Sequence, residues 1–131
     1  MHNKFVNVTK IFTFDSAHKL ENYDGNCKYL HGHTYKLEIT VRGKTDYRGM
    51  VIDFNELKKI VNEKIISKLD HKYLNDVFDF NTTCENMVVW IFNELNGVLN
   101  SKNYLLKKVR LWETPTSYAE LEREDFYNEG Q

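Results

Sequence analysis

The chain predicts an α+β domain: a four-stranded antiparallel sheet with two helices on one face, in the order strand, strand, helix, helix, strand, strand (ββααββ). Three observations predict it. Tyr35, Leu37, Ile39 and Val41 alternate with Lys36, Glu38 and Thr40, the period of a half-buried strand. Two later runs repeat apolar residues at helical spacing, each behind a capping pair, Asp53 with Glu56 and Thr82 with Glu85. The last third then returns to strand-like runs broken once, at Pro115.

Taken in order, residues 4–14 predict a first strand, with Val6, Val8, Phe12 and Phe14 in step and Lys10 breaking the pattern. Residues 15–30 read as a loop with a turn over 22–26, and this loop carries His18 and Cys27. The second strand covers 34–42, and 43–49 connects it onward. Behind Asp53, the positions Phe54, Leu57, Ile60, Val61 and Ile65 predict a helix to Leu69. Residues 70–75 read as a loop. The second helix should bury Val88, Ile91, Phe92, Leu95 and Leu99, with Trp90 off the stripe and free for a subunit contact. Strands over 105–112 and 117–122 follow, and the charged tail from 123 onward is expected in solvent.

The 131 residues predict one domain spanning 1–131. A net charge of -1 gives no reason to expect a nucleic-acid partner. No apolar run approaches membrane-spanning length and the N-terminus lacks a secretory core, so the expected location is cytoplasmic, without a membrane partner. Two cysteines do not make a disulfide scaffold.

The chemistry concentrates at Cys27-Lys28-Tyr29-Leu30-His31-Gly32-His33. Side chains alternate along a strand, so His31 and His33 point the same way, in step with Tyr35 and the apolar set. Two inward imidazoles suggest a zinc chelate, and His18 is the expected third ligand. Cys27 leaves two readings open. It closes a structural site as fourth ligand, or it stands beside an open zinc position as a base. In Asp70-His71 the carboxylate can fix the imidazole's tautomer for proton transfer. Glu113 ends a strand in step with Val109 and Leu111, and its two oxygens suit a heterocycle offering paired N–H donors. Glu85 reads mainly as a cap, Cys84 as a small half-buried residue, and Trp112 as packing.

These blocks resemble a known family. Phe14-Asp15-Ser16-Ala17-His18, Cys27-x3-His31-Gly32-His33, Val51-Ile52-Asp53-Phe54, Leu69-Asp70-His71-Lys72-Tyr73-Leu74-Asn75, Asn81-Thr82-Thr83-Cys84-Glu85-Asn86 and Trp112-Glu113-Thr114-Pro115-Thr116 occur in order over almost the whole chain. Together they look like the 6-pyruvoyl-tetrahydropterin synthase superfamily. Three residues between the cysteine and His-Gly-His resemble its 6-carboxy-5,6,7,8-tetrahydropterin synthase branch, which serves queuosine (7-deazaguanine) synthesis. The resemblance implies a tunnelling fold (T-fold), joined as a homo-oligomer, commonly a hexamer of two stacked trimers, with active sites between subunits. It implies zinc on His18, His31 and His33, and 7,8-dihydroneopterin triphosphate as substrate. Cys27, His71, Asp70 and Glu113 are then the catalytic residues, and Glu113, Thr82 and Thr83 hold the pterin. The alternatives are a 6-pyruvoyl-tetrahydropterin synthase, which keeps the three-carbon side chain, and a non-catalytic interaction domain stabilised by zinc.

Overall fold

The computed structural model describes residues 2–21, 25 and 29–128. Alternating side chains build two long strands, β1 (Val6–His18) and β2 (His31–Gly43), paired antiparallel from Val6↔Gly43 to His18↔His31. β1 therefore runs four residues past its predicted end. Residues 15–18 have little strand propensity of their own, and pairing with β2 holds them extended. α1 (Phe54–Val61), a π-helical turn (Asn62–Ile66) and α2 (Ser67–Leu69) continue one another, so the first helical run ends at Leu69 as its periodicity predicts.

β3 (Lys72–Tyr73), α3 (Leu74–Val77), α4 (Cys84–Asn96), β4 (Tyr104–Thr114), β5 (Ser117–Glu122) and α5 (Arg123–Phe126) complete the chain. The sheet order is β3-β1-β2-β4-β5. The sheet thus has five strands where the alternation predicts four. The addition is short and parallel, with Ser16↔Lys72 and Ala17↔Tyr73. His71 creates it: its φ is 59, and its N–H donates to Asp15 O at 2.6 Å, turning the next two residues along the open edge of β1. Two residues are too few to show an alternation.

One core lies between the sheet and the helices. Tyr35, Leu37, Ile39 and Val41 of β2 are fully buried against Leu57, Val61, Ile65 and Leu69 from the first helical run and Met87, Ile91, Phe92 and Leu95 from α4. Burying such a side chain contributes roughly 1.5–3 kcal/mol. Phe54 is the exception to the predicted stripe. It heads α1 beyond the sheet and is half exposed.

Two further expectations are corrected. Asp53 caps α1, accepting from the Asn55 N–H at 2.8 Å, but α4 is capped by Thr83, not Thr82. Thr83 Oγ1 accepts from the Asn86 N–H at 3.2 Å. The tail is not wholly in solvent either. Phe126 stacks on Phe92 at 4.7 Å, and Arg123 donates to Asn96 Oδ1 at 2.8 Å. Trp90 packs within the chain, edge-on to Phe78 at 4.8 Å. Among the described residues, no helix is long and apolar enough to cross a membrane.

Candidate metal centre and the groove behind it

The ends of β1 and β2 place three imidazoles together. His18 lies directly across from His31, and His33 lies across from Ser16, so all three share the helix-covered face. Their ring centroids are 4.5 to 5.2 Å apart. His18 is fully buried. Its Nδ1 lies 2.9 Å from Thr82 O, and His31 Nδ1 lies 2.7 Å from Tyr29 O. A backbone carbonyl accepts only from a protonated Nδ1, so both rings present Nε2 as a bare lone pair. Burial also holds His33 below the usual histidine range, which favours its neutral form.

Glu113, at the far end of β4, closes the cluster. Its Oε1 lies 3.2 Å from Nε2 of both His18 and His33. These approaches lack hydrogen-bond alignment, and Nε2 of His18, His31 and His33 are buried without a hydrogen-bond partner. Contact with His18 holds the Glu113 carboxyl below the usual carboxylate range, against the opposing effect of burial. One ligand atom from each of the four residues falls within 4.8 Å of all the others. Three orphaned, convergent imidazole nitrogens fit a divalent ion that takes nitrogen ligands, because such an ion satisfies groups otherwise costly to bury.

Glu113 also walls a pocket of about 230 Å³ with Cys84, Glu85, Ser117, Tyr118 and Ala119. One carboxylate thus borders both the metal cluster and a cavity. Glu85, offered as a cap partner, faces this pocket instead. Cys84 is buried, its Sγ donating to Leu111 O at 3.1 Å, and burial pushes its thiol up to about 11. Trp112 packs on the outward face, its Nε1 donating to Glu38 Oε2 at 2.5 Å.

Thr82 is fully buried behind His18, and Thr83 is committed to the cap of α4. Cys27 lies outside the described residues. Asp70 and His71 come together, with Asp70 Oδ2 at 3.1 Å from His71 Nδ1 and Asp70 Oδ1 accepting from the Asp15 N–H at 3.0 Å. That N–H, followed by His71, holds the Asp70 carboxyl below the usual aspartate range.

The pair does not join the histidine cluster in this chain. It sits on the edge of β1, and His71 opens onto a groove of about 590 Å³ whose floor includes Asp15, Ala17, Gly32 and Thr34. These residues alternate with the metal cluster's and point away from the helices. Ser16 and His33 also border the groove, yet Asp15, Asp70 and His71 form one group of ligand atoms and His18, His31, His33 and Glu113 another. Sequence reasoning missed Tyr29 and Thr82 as carbonyl supports of the histidines, because a main-chain acceptor leaves no mark on residue identity.

A sheet whose strand ends gather three unpartnered imidazole nitrogens beside a carboxylate-walled pocket offers a candidate metal site next to a cavity of about 230 Å³. Residues 7–124 match the family described as 6-pyruvoyl tetrahydropterin synthase, and the chain belongs to that family. A 6-carboxy-5,6,7,8-tetrahydropterin synthase of Haemophilus influenzae is 36% identical over 138 residues, covering 86% of this chain and 96% of its own. A dihydroneopterin monophosphate aldolase of Pyrococcus furiosus is 39% identical over 112 residues, covering 84% and 91%. The solved structure of the Caenorhabditis elegans 6-pyruvoyl tetrahydropterin synthase superposes with a TM-score of 0.81 at 28% identity, over 93% of this chain and 99% of that one. The fold is therefore the family's T-fold.

Proposed function

We propose that the protein is a zinc-dependent 6-carboxy-5,6,7,8-tetrahydropterin synthase of queuosine (7-deazaguanine) biosynthesis, working in the cytoplasm. It converts 7,8-dihydroneopterin triphosphate and water into 6-carboxytetrahydropterin, acetaldehyde and triphosphate. The observation that carries this reading is the convergence of three buried, unpartnered Nε2 atoms beside Glu113 in a chain of this family. His18, His31 and His33 hold the zinc, which supplies Lewis acidity toward the side-chain oxygens of the pterin.

The chain's own groups do the rest. Glu113 grips the pterin's amino and ring N–H donors through the pocket it walls, with Thr83 at that end of α4 and Thr82 steadying His18 from behind. Cys27 takes the carbon-bound proton as thiolate. His71, oriented by Asp70, passes protons onward. Because that pair and the histidines form separate groups within one chain, a second copy of the chain supplies it. That requirement favours the family's homo-oligomer, a hexamer of two trimers, and joining copies also covers the open edge of β1.

Mass spectrometry of products from zinc-loaded protein and 7,8-dihydroneopterin triphosphate tests the assignment. A 6-carboxytetrahydropterin product with acetaldehyde is expected. A pyruvoyl product retaining all three side-chain carbons contradicts the branch, and absence of turnover contradicts the reaction.

A further inference from the structure

β1 has no strand partner beyond His18, yet the next residues are held as if it had. The Lys19 N–H donates to Asn75 Oδ1 at 2.9 Å, and Asn75 Nδ2 donates back to Lys19 O at 2.8 Å. Two residues on, the Glu21 N–H donates to Asn81 Oδ1 at 3.0 Å, and Asn81 Nδ2 donates to Glu21 O at 3.3 Å. Exchange of both bonds with one residue is what a hydrogen-bonded pair does in an antiparallel ladder. Residues two apart in an extended chain present these groups on the same side. Two side-chain amides thus imitate a neighbouring strand along 19–21.

The two amides are tied to the sites already described. Asn75 lies in α3, four residues after His71, and the Thr82 hydroxyl donates to its Oδ1 at 3.5 Å. Asn81 precedes Thr82, whose carbonyl meets His18 Nδ1, and Asn86 Nδ2 holds the Asn81 carbonyl at 2.9 Å. Neither residue reaches the metal cluster or the pocket beside it. Each requires a donor and an acceptor on a short stem, which only asparagine supplies.

We infer that Asn75 and Asn81 are positioning residues, a two-amide clamp that fixes His18 and the course of the chain immediately after it, over residues 19–21. The inference rests on the proposed function for its zinc-affinity and kinetic consequences, and the exchange protection of Lys19 and Glu21 stands without it.

The test uses the full chain, zinc-loaded, with Asn75→Leu and Asn81→Leu. Wild-type amides of Lys19 and Glu21 should be protected from hydrogen exchange. Asn75→Leu should expose the first and Asn81→Leu the second, with β1 still protected. Zinc affinity, read by chelator competition, should fall on the order of tenfold, as for other groups that orient a metal-bound histidine. Turnover should fall by a similar factor, with KM for 7,8-dihydroneopterin triphosphate unchanged. Asn75→Asp and Asn81→Asp keep the acceptor and lose the donor, so they should fall between wild type and the leucine variants, and they decide the matter if the leucine variants do not fold. Unprotected wild-type amides, or lost protection with zinc affinity and turnover unchanged, overturns the clamp. If the wild type itself is inactive, zinc affinity still decides the clamp and only the reaction falls.

Discussion

At the scale of single residues, three lone pairs define the candidate metal site. Nε2 of His18, His31 and His33 have no hydrogen-bond partner, while carbonyls behind two of the rings fix which nitrogen is bare. His33→Ala removes one of the three proposed ligands, and metal analysis after dialysis should find well under one zinc per chain where the wild type keeps one. Retention of full stoichiometry in that variant contradicts the ligand set. The two cysteines should behave differently from one another. With its thiol raised to about 11 by burial, Cys84 stays protonated at pH 8. Iodoacetamide on the native protein should leave Cys84 unlabelled, as peptide mapping will show, and label it once the protein is unfolded. The parity of His31 and His33 with Tyr35 was legible in the sequence because a strand's period of two leaves no choice of face. The roles of Tyr29 and Thr82 were not legible, since they act through backbone carbonyls.

At the scale of elements, the two threonines before α4 exchange the parts their spacing suggests. Thr82 with Glu85 has the form of a capping box, but the helix begins one residue later and Thr83 takes the cap. Thr83→Ala should cost about 1 kcal/mol in urea unfolding with zinc binding unchanged. A cost below the measurement error contradicts the assigned cap. The amphipathic stripe of α4 was legible from Val88 to Leu95, because a helix against a sheet must bury one face, whereas Leu99 is buried from the turn beyond the helix end. β3 was not legible. Its two residues pair only because His71 turns the chain against β1, and that is a long-range contact between residues 15 and 71. The end of β1 was hidden for a related reason, since residues 15–18 are extended by their partner strand and not by their own propensity.

At the scale of the whole molecule, one sheet carries both halves of a proposed reaction and keeps them apart. The imidazoles lie on the helix-covered face, while His71, paired with Asp70 at the edge of β1, lines a groove that His33 also borders. In the proposed reaction the two halves meet when copies of the chain associate, so the proposal makes the oligomer a condition of activity. The most direct measurement mixes two inactive variants, Cys27→Ala and His71→Ala, after dissociation and reassembly with zinc, and follows turnover of 7,8-dihydroneopterin triphosphate. Each variant alone should be nearly silent. The mixture should regain a substantial fraction of wild-type activity, because some interfaces then pair an intact Cys27 and histidine cluster with an intact Asp70–His71. A mixture that forms hybrid oligomers and stays silent, beside an active wild type, contradicts a site shared between copies.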